Sequence, residues 1–127
     1  MKEFMFLIRN EAESKAGFSA EKDTEFLHQC SVYIGKLQRE GRMISAQPLV
    51  REGRIISGRD GAWKDAPYNE HREVIVGYYH ILANDIDEAV EIAKGNPEFA
   101  YTPAARIEVR PVKMKEVTTG YVYPKSK

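Results

Sequence analysis

The chain has one cysteine, no surplus of charge of either sign and no apolar run longer than a strand, and each shortage removes a class of protein. The lone thiol, Cys30, cannot close an intrachain disulfide and fits a reducing compartment. Lys plus Arg and Asp plus Glu both number 19, so no basic excess is present to hold a phosphate backbone, and no nucleic-acid partner is expected. The first apolar stretch, Phe4 to Ile8, is five residues long between Glu3 and Arg9. That is too short for a signal peptide or a bilayer span, so a cytoplasmic location without a membrane partner is expected. His28, His71 and His80 lack HxxxH or HxH spacing, which leaves no metal set. Gly58-Arg59-Asp60-Gly61 is a turn without the Lys-Ser/Thr and helix start of a phosphate loop, and no cofactor is expected.

What remains is 127 residues, 43% hydrophobic and 30% charged, enough for one domain (1–127) with a real core over 3–112 and a tail over 113–127. Phe4 to Ile8 predicts a strand over 3–9. Ser19 caps a helix running to Glu40, with Phe26, Cys30, Tyr33 and Leu37 on its apolar stripe, widened by Leu27 and Ile34, and with Gly41 as its stop. Residues 43–50 and 54–57 read as a hairpin turned at Arg51-Glu52-Gly53, and 58–67 as a long loop. A strand follows over 73–83. Next comes a helix capped by Asp85 and Glu88, with Ile86, Ala89, Val90 and Ala93 inward, and a last strand over 106–112. The tail holds one short strand at 120–123 and a polar end. Strand, helix, three strands, helix, strand is the order of an α+β, ferredoxin-like sandwich with both helices on one face of the sheet.

Period two then divides the strands. The helix-packed set reads as Phe4, Phe6 and Ile8 with Ile44, Ala46, Ile75, Tyr79, Ile81, Ile107 and Val109. The opposite face reads as Met5, Leu7 and Arg9, then Ser45 and Gln47, then Val74, Val76, Tyr78 and His80, then Arg106, Glu108 and Arg110. Such a mixed face is too apolar to stand in water, and two sheets packed face to face would cover it and leave a central cavity. A homodimer is therefore expected.

The densest ionisable stretch is Asp65-Ala66-Pro67-Tyr68-Asn69-Glu70-His71-Arg72-Glu73, leading into a strand that contains Gly77-Tyr78-Tyr79. It resembles the Asp-Gly-Pro-Phe-x-Glu-x-Lys-Glu…Gly-Phe-Tyr signature of the DGPF branch of YCII-related proteins, with Ala66 for the Gly and Tyr68 for the Phe. Asp85 to Ala89 and Ile107 to Val112 resemble the same family's helix start and closing strand, so the resemblance spans residues 3–112. It implies a dimeric α+β barrel. The wider group places a His in the first helix and an Asp before a Pro after the second. The matching positions here are Cys30 and Asn96, which cannot reproduce His/Asp acid–base chemistry, so that mechanism does not carry over.

Asp65, Glu70 and His80 are the candidate catalytic groups, with Glu73 beside them. The competing reading has these carboxylates capping turns and pairing with Arg72 or Lys64. Tyr78, Arg110, Glu108, Arg9 and Trp63 are the candidate ligand contacts, suited to a small anionic or aromatic molecule. A Glu108–Arg110 pair that is structural, or a dimer contact, stands as the alternative. Cys30 reads as a small hydrophobe, His28 as solvated, and Trp63 first as a lid or dimer anchor, with ligand stacking as the alternative. Two functions follow. One is a small-molecule enzyme acting in a cavity between the sheet and residues 58–73, of the lyase, isomerase or oxygenase kind that the superfamily resemblance implies. The other is a non-catalytic binding or accessory module linked to transcription regulation.

Overall fold

The computed structural model describes residues 1–124. In chain order the elements are β1 (Lys2–Glu11), α1 (Ala20–Arg39), β2 (Met43–Pro48), β3 (Arg54–Ser57), β4 (Lys64–Pro67), β5 (Glu73–Ala83), α2 (Ile86–Lys94), α3 (Glu98–Tyr101) and β6 (Arg106–Pro111). Four strands form an antiparallel sheet in the order β2-β5-β1-β6, with β1 and β5 central. This is an α+β, ferredoxin-like arrangement. Among the described residues no helix is long and apolar enough to cross a membrane.

Local chemistry sets the helix ends. The Ser19 side chain accepts from the Lys22 amide, and Asp85 Oδ1 accepts from the Glu88 amide at 2.8 Å. Glu88 in return takes the amide of Asn84. At the end of α1, Gly41 adopts φ +72° and Arg42 N–H reaches back to the Leu37 carbonyl, a closure that suits a residue without Cβ. On the inner face α1 buries Phe26 and Leu37, and α2 buries Ala89 and Ala93 against Phe4, Phe6, Ile8, Tyr79 and Ile81. Tyr33 ties the helices together by donating to the Ile92 carbonyl at 2.7 Å. Ile86 and Val90 are instead 45% and 36% exposed, and Ile92 takes the inward position expected of them. Leu27, expected on the α1 stripe, is 65% exposed.

Three expectations are corrected. First, 54–57 does not pair with 43–48. It pairs with Lys64–Pro67, so part of the expected 58–67 loop is a strand and the hairpin β3–β4 stands apart from the main sheet. Gly58, at φ +104°, makes that turn: a Cβ there would lie 2.1 Å from the Ala62 carbonyl oxygen. Second, the faces of β5 exchange at a bulge. Ile8 pairs with Gly77 but Arg9 with Ile75, leaving Val76 as the extra residue. Val74 and Val76 therefore turn inward, buried to 8% and 6%, and Ile75 turns out. Third, a bulge at Ile44 in β2 sends Met43 rather than Ile44 to the core. Sequence also gave no sign of α3, where a loop was expected. Among the described residues the tail forms an isolated bridge between Lys115 and Val122, and the last three residues of its expected polar end lie outside the described residues.

Candidate functional site

Strand pairing lays the open face out in rows. Ser45, His80, Met5 and Arg110 form one row, and Gln47, Tyr78, Leu7 and Glu108 the next. Ile75, Arg9 and Arg106 form a third. His80 Nε2 lies 2.7 Å from Glu3 Oε1, with both side chains largely buried. Arg9 bridges Glu73 and Glu108, Arg106 grips Glu73 through two bonds of 2.8 Å, and Arg110 meets Glu108 at 2.9 Å. The Arg106 hydrogen bonds, more than the nearby charges, hold the Glu73 carboxyl below its ordinary range. Five side chains thus form one network along the edge of that face.

The remaining candidates are elsewhere. Asp65 is on β4, half exposed and 3.3 Å from Arg54, and Glu70 pairs with Lys64 at 3.2 Å. Trp63 is 62% exposed beside the same hairpin. Fold and pairing do not bring these three together with Tyr78 and His80. The trough between the sheet and the 49–73 segment, about 600 Å³, is lined by Tyr68, His71, Glu73 and Ile75 among others, but not by Asp65, Glu70 or His80.

On the other side of the sheet, α1 stands off the edge made by β2 and β5 and leaves a pocket of about 440 Å³. Phe26, Ile34, Ile8 and Val76 give it apolar walls, and Lys15, Cys30, Tyr79 and Glu98 give it a polar end. The bulge helps to make it: Gly77 lines the pocket, and a side chain there would press on the Gln47 carbonyl oxygen at 3.1 Å.

The polar end is built across the whole chain. Asn10, at an inward position of β1, is 1% exposed and donates from Nδ2 to Glu98 Oε2 at 2.9 Å and to the Thr102 hydroxyl at 2.8 Å. Lys15 Nζ donates to both Glu98 oxygens, at 2.9 and 2.6 Å, and lies 4.4 Å from the centre of the Phe26 ring. Asn96 Oδ1 accepts the Glu98 amide, fixing the start of α3, while Asn96 Nδ2 is buried without a hydrogen-bond partner. Lys15 is the one non-glycine residue with positive φ, 70°, among the described residues. Its loop is held from outside by Arg51, which donates to the Ala12 carbonyl at 2.6 Å and to Ser14, and by Arg72, whose carbonyl accepts the Ala12 amide and whose guanidinium meets Glu11. Arg72, in the charge-dense stretch, thus helps to anchor the loop that carries Lys15.

Burial, reinforced by Glu98 and opposed by Lys15, raises the pKa of the Cys30 thiol, so it stays protonated. Burial likewise raises Tyr79, with Cys30 adding to the effect and the Asn96 amide opposing it. Cys30 lines the pocket with Tyr79, and Asn96 holds the amide of Glu98, which lines the same pocket, so the two positions that the resemblance matched to a His and an Asp come to one place. Among the described residues no cluster of three or more His, Cys, Asp and Glu could hold a metal ion.

An antiparallel sheet with two helices on one face and this pocket beneath α1 define an α+β domain of ferredoxin-like type. The family model of the YCII-related domain matches residues 2–115, nearly the whole chain, and the protein belongs to that family. Among curated proteins there is no match.

Proposed function

We propose that this YCII-related domain, of the DGPF branch, binds a small organic molecule in the pocket between α1 and the β2–β5 edge, as a cytoplasmic homodimer paired through the open sheet face. One observation carries the reading: a Lys15–Glu98 ion pair, with side chains 18% and 7% exposed, at one end of a cavity walled by Phe26, Ile34, Ile8 and Val76. A buried pair is costly to desolvate and is often replaceable by hydrophobic residues without loss of stability, so its position beside a cavity favours a role toward a ligand. The open face supports the dimer, because the apolar side chains Met5 and Leu7 and the ring of Tyr78 lie in its rows.

A second reading rests on His80 and Glu3. A carboxylate 2.7 Å from an imidazole is the arrangement that orients a general base, and dimer closure would seal it beside Arg110, the anion anchor. This is the enzyme hypothesis, with Asp65 on the hairpin and Glu70 just after it as further acids. The competing accessory-module role needs binding alone.

Two variants separate these readings in a ligand-detected screen of small aromatic compounds. Cys30→Phe fills the pocket, and the first reading predicts loss of binding with the fold retained. Binding that survives Cys30→Phe but fails in His80→Ala moves the site to the open face. Turnover lost in His80→Ala and Asp65→Ala would establish the enzyme.

A further inference from the structure

The polar end of the pocket is unequal in donors and acceptors. Glu98 is its one carboxylate, and its oxygens already accept two contacts from Lys15 and one from Asn10. Lys15 has three N–H donors and gives two contacts to Glu98, which leaves donor capacity at the cavity. Tyr79 lines the pocket, and among the described residues its hydroxyl makes no hydrogen bond, so its hydrogen is free for an acceptor. The Cys30 thiol, kept protonated, adds a weak donor. Unused capacity at this end is therefore for donation, and the charge of Lys15 is already matched by Glu98.

Resting on the pocket being the ligand site, we propose that its ligand is an uncharged aromatic or aliphatic compound bearing one acceptor oxygen of the carbonyl type. That oxygen takes hydrogen bonds from Lys15 Nζ and the Tyr79 hydroxyl while the carbon frame lies against Phe26, Ile34 and Val76. A carboxylate ligand would add a second negative charge beside Glu98, and a pure hydrocarbon would leave both donors unpaired in a dry site.

Acetophenone, ethylbenzene and benzoate test this, since they share a ring and differ at the deciding group. Their affinities are read from amide shifts of residues 15, 30, 77 and 79 in the labelled full chain. Acetophenone should bind about tenfold tighter than ethylbenzene, the value of a hydrogen bond from a charged donor, although ethylbenzene is the more hydrophobic. Benzoate should bind no tighter than acetophenone. The preference for acetophenone should vanish in Lys15→Met/Glu98→Gln, which leaves no buried charge, and should shrink in Tyr79→Phe, which keeps the ion pair. Ethylbenzene binding as well as acetophenone, or benzoate binding tenfold tighter, overturns the carbonyl assignment but keeps the site. Shifts absent from the pocket with all three probes overturn both.

Discussion

Lys15 and Glu98 are 83 residues apart in sequence, yet Lys15 Nζ lies 2.6 and 2.9 Å from the two carboxylate oxygens. The contact joins the loop after β1 to the start of α3 across the mouth of the core, and Asn10 and Thr102 complete it. Removing one partner strands a charge that is mostly out of water. Glu98→Gln should cost about 3 kcal/mol in urea unfolding, the usual scale for breaking a buried pair. Lys15→Met/Glu98→Gln should regain part of it, because no charge is then left alone. A single variant as stable as wild type would show that the pair carries no such coupling.

Gly77 is predicted to be intolerant for a spatial reason. A Cβ would meet the Gln47 carbonyl oxygen at 3.1 Å and the Pro48 Cα at 3.2 Å, both backbone atoms of β2. Gly77→Val should destabilise by about 1–3 kcal/mol, the range for overpacking, and narrow the pocket at its β2 wall. Equilibrium unfolding reads the first effect. Loss of probe binding reads the second.

Acid should weaken the fold through Glu88. Its carboxyl is held below the ordinary 4.5 first by the Asn84 amide and then by the Arg42 guanidinium. A depressed folded pKa adds stability above the unfolded pKa and loses it as pH falls through the folded value. Glu88→Gln should therefore melt lower than wild type at pH 7, and the two should converge near pH 2–3. Equal melting temperatures across the whole range would contradict this.

Cys30 should be a slow nucleophile. Burial and Glu98 raise its pKa above the ordinary 9.0, so thiolate is scarce at neutral pH. Alkylation by iodoacetamide at pH 7.5 should run at least about tenfold slower than for free cysteine, and should keep rising with pH beyond 9. A rate like that of free cysteine with a plateau below 9 would mean an activated thiol instead.

Much of this architecture is legible in the residues. Ser19, Gly41 and Asp85 fix helix ends by local hydrogen bonding, and the alternation of Phe4, Phe6 and Ile8 fixes the faces of β1. Parity fails in β5 because one bulged residue, Val76, inverts every side chain beyond it, and Gly77 in mid-strand was the available sign. The hairpin partner of β3 was hidden because Lys64–Pro67 has four residues, a Pro and no alternation. Lys15 and Glu98 are not legible in this way, since each is an ordinary polar residue in a loop-like stretch and only long-range folding joins them. Asn10 carried the one local clue: it continues the even-numbered inward series of β1, and a polar side chain at a buried register position calls for a partner.

The location of the ligand is the claim on which the rest depends, and backbone amide mapping reads it directly. With acetophenone added to the labelled protein, the shifts should gather at Lys15, Cys30, Gly77, Tyr79 and Glu98 and leave Met5, His80 and Arg110 unmoved. Shifts centred on Met5, His80 and Arg110, with the α1 pocket silent, would contradict the account and place the site on the open face of the sheet.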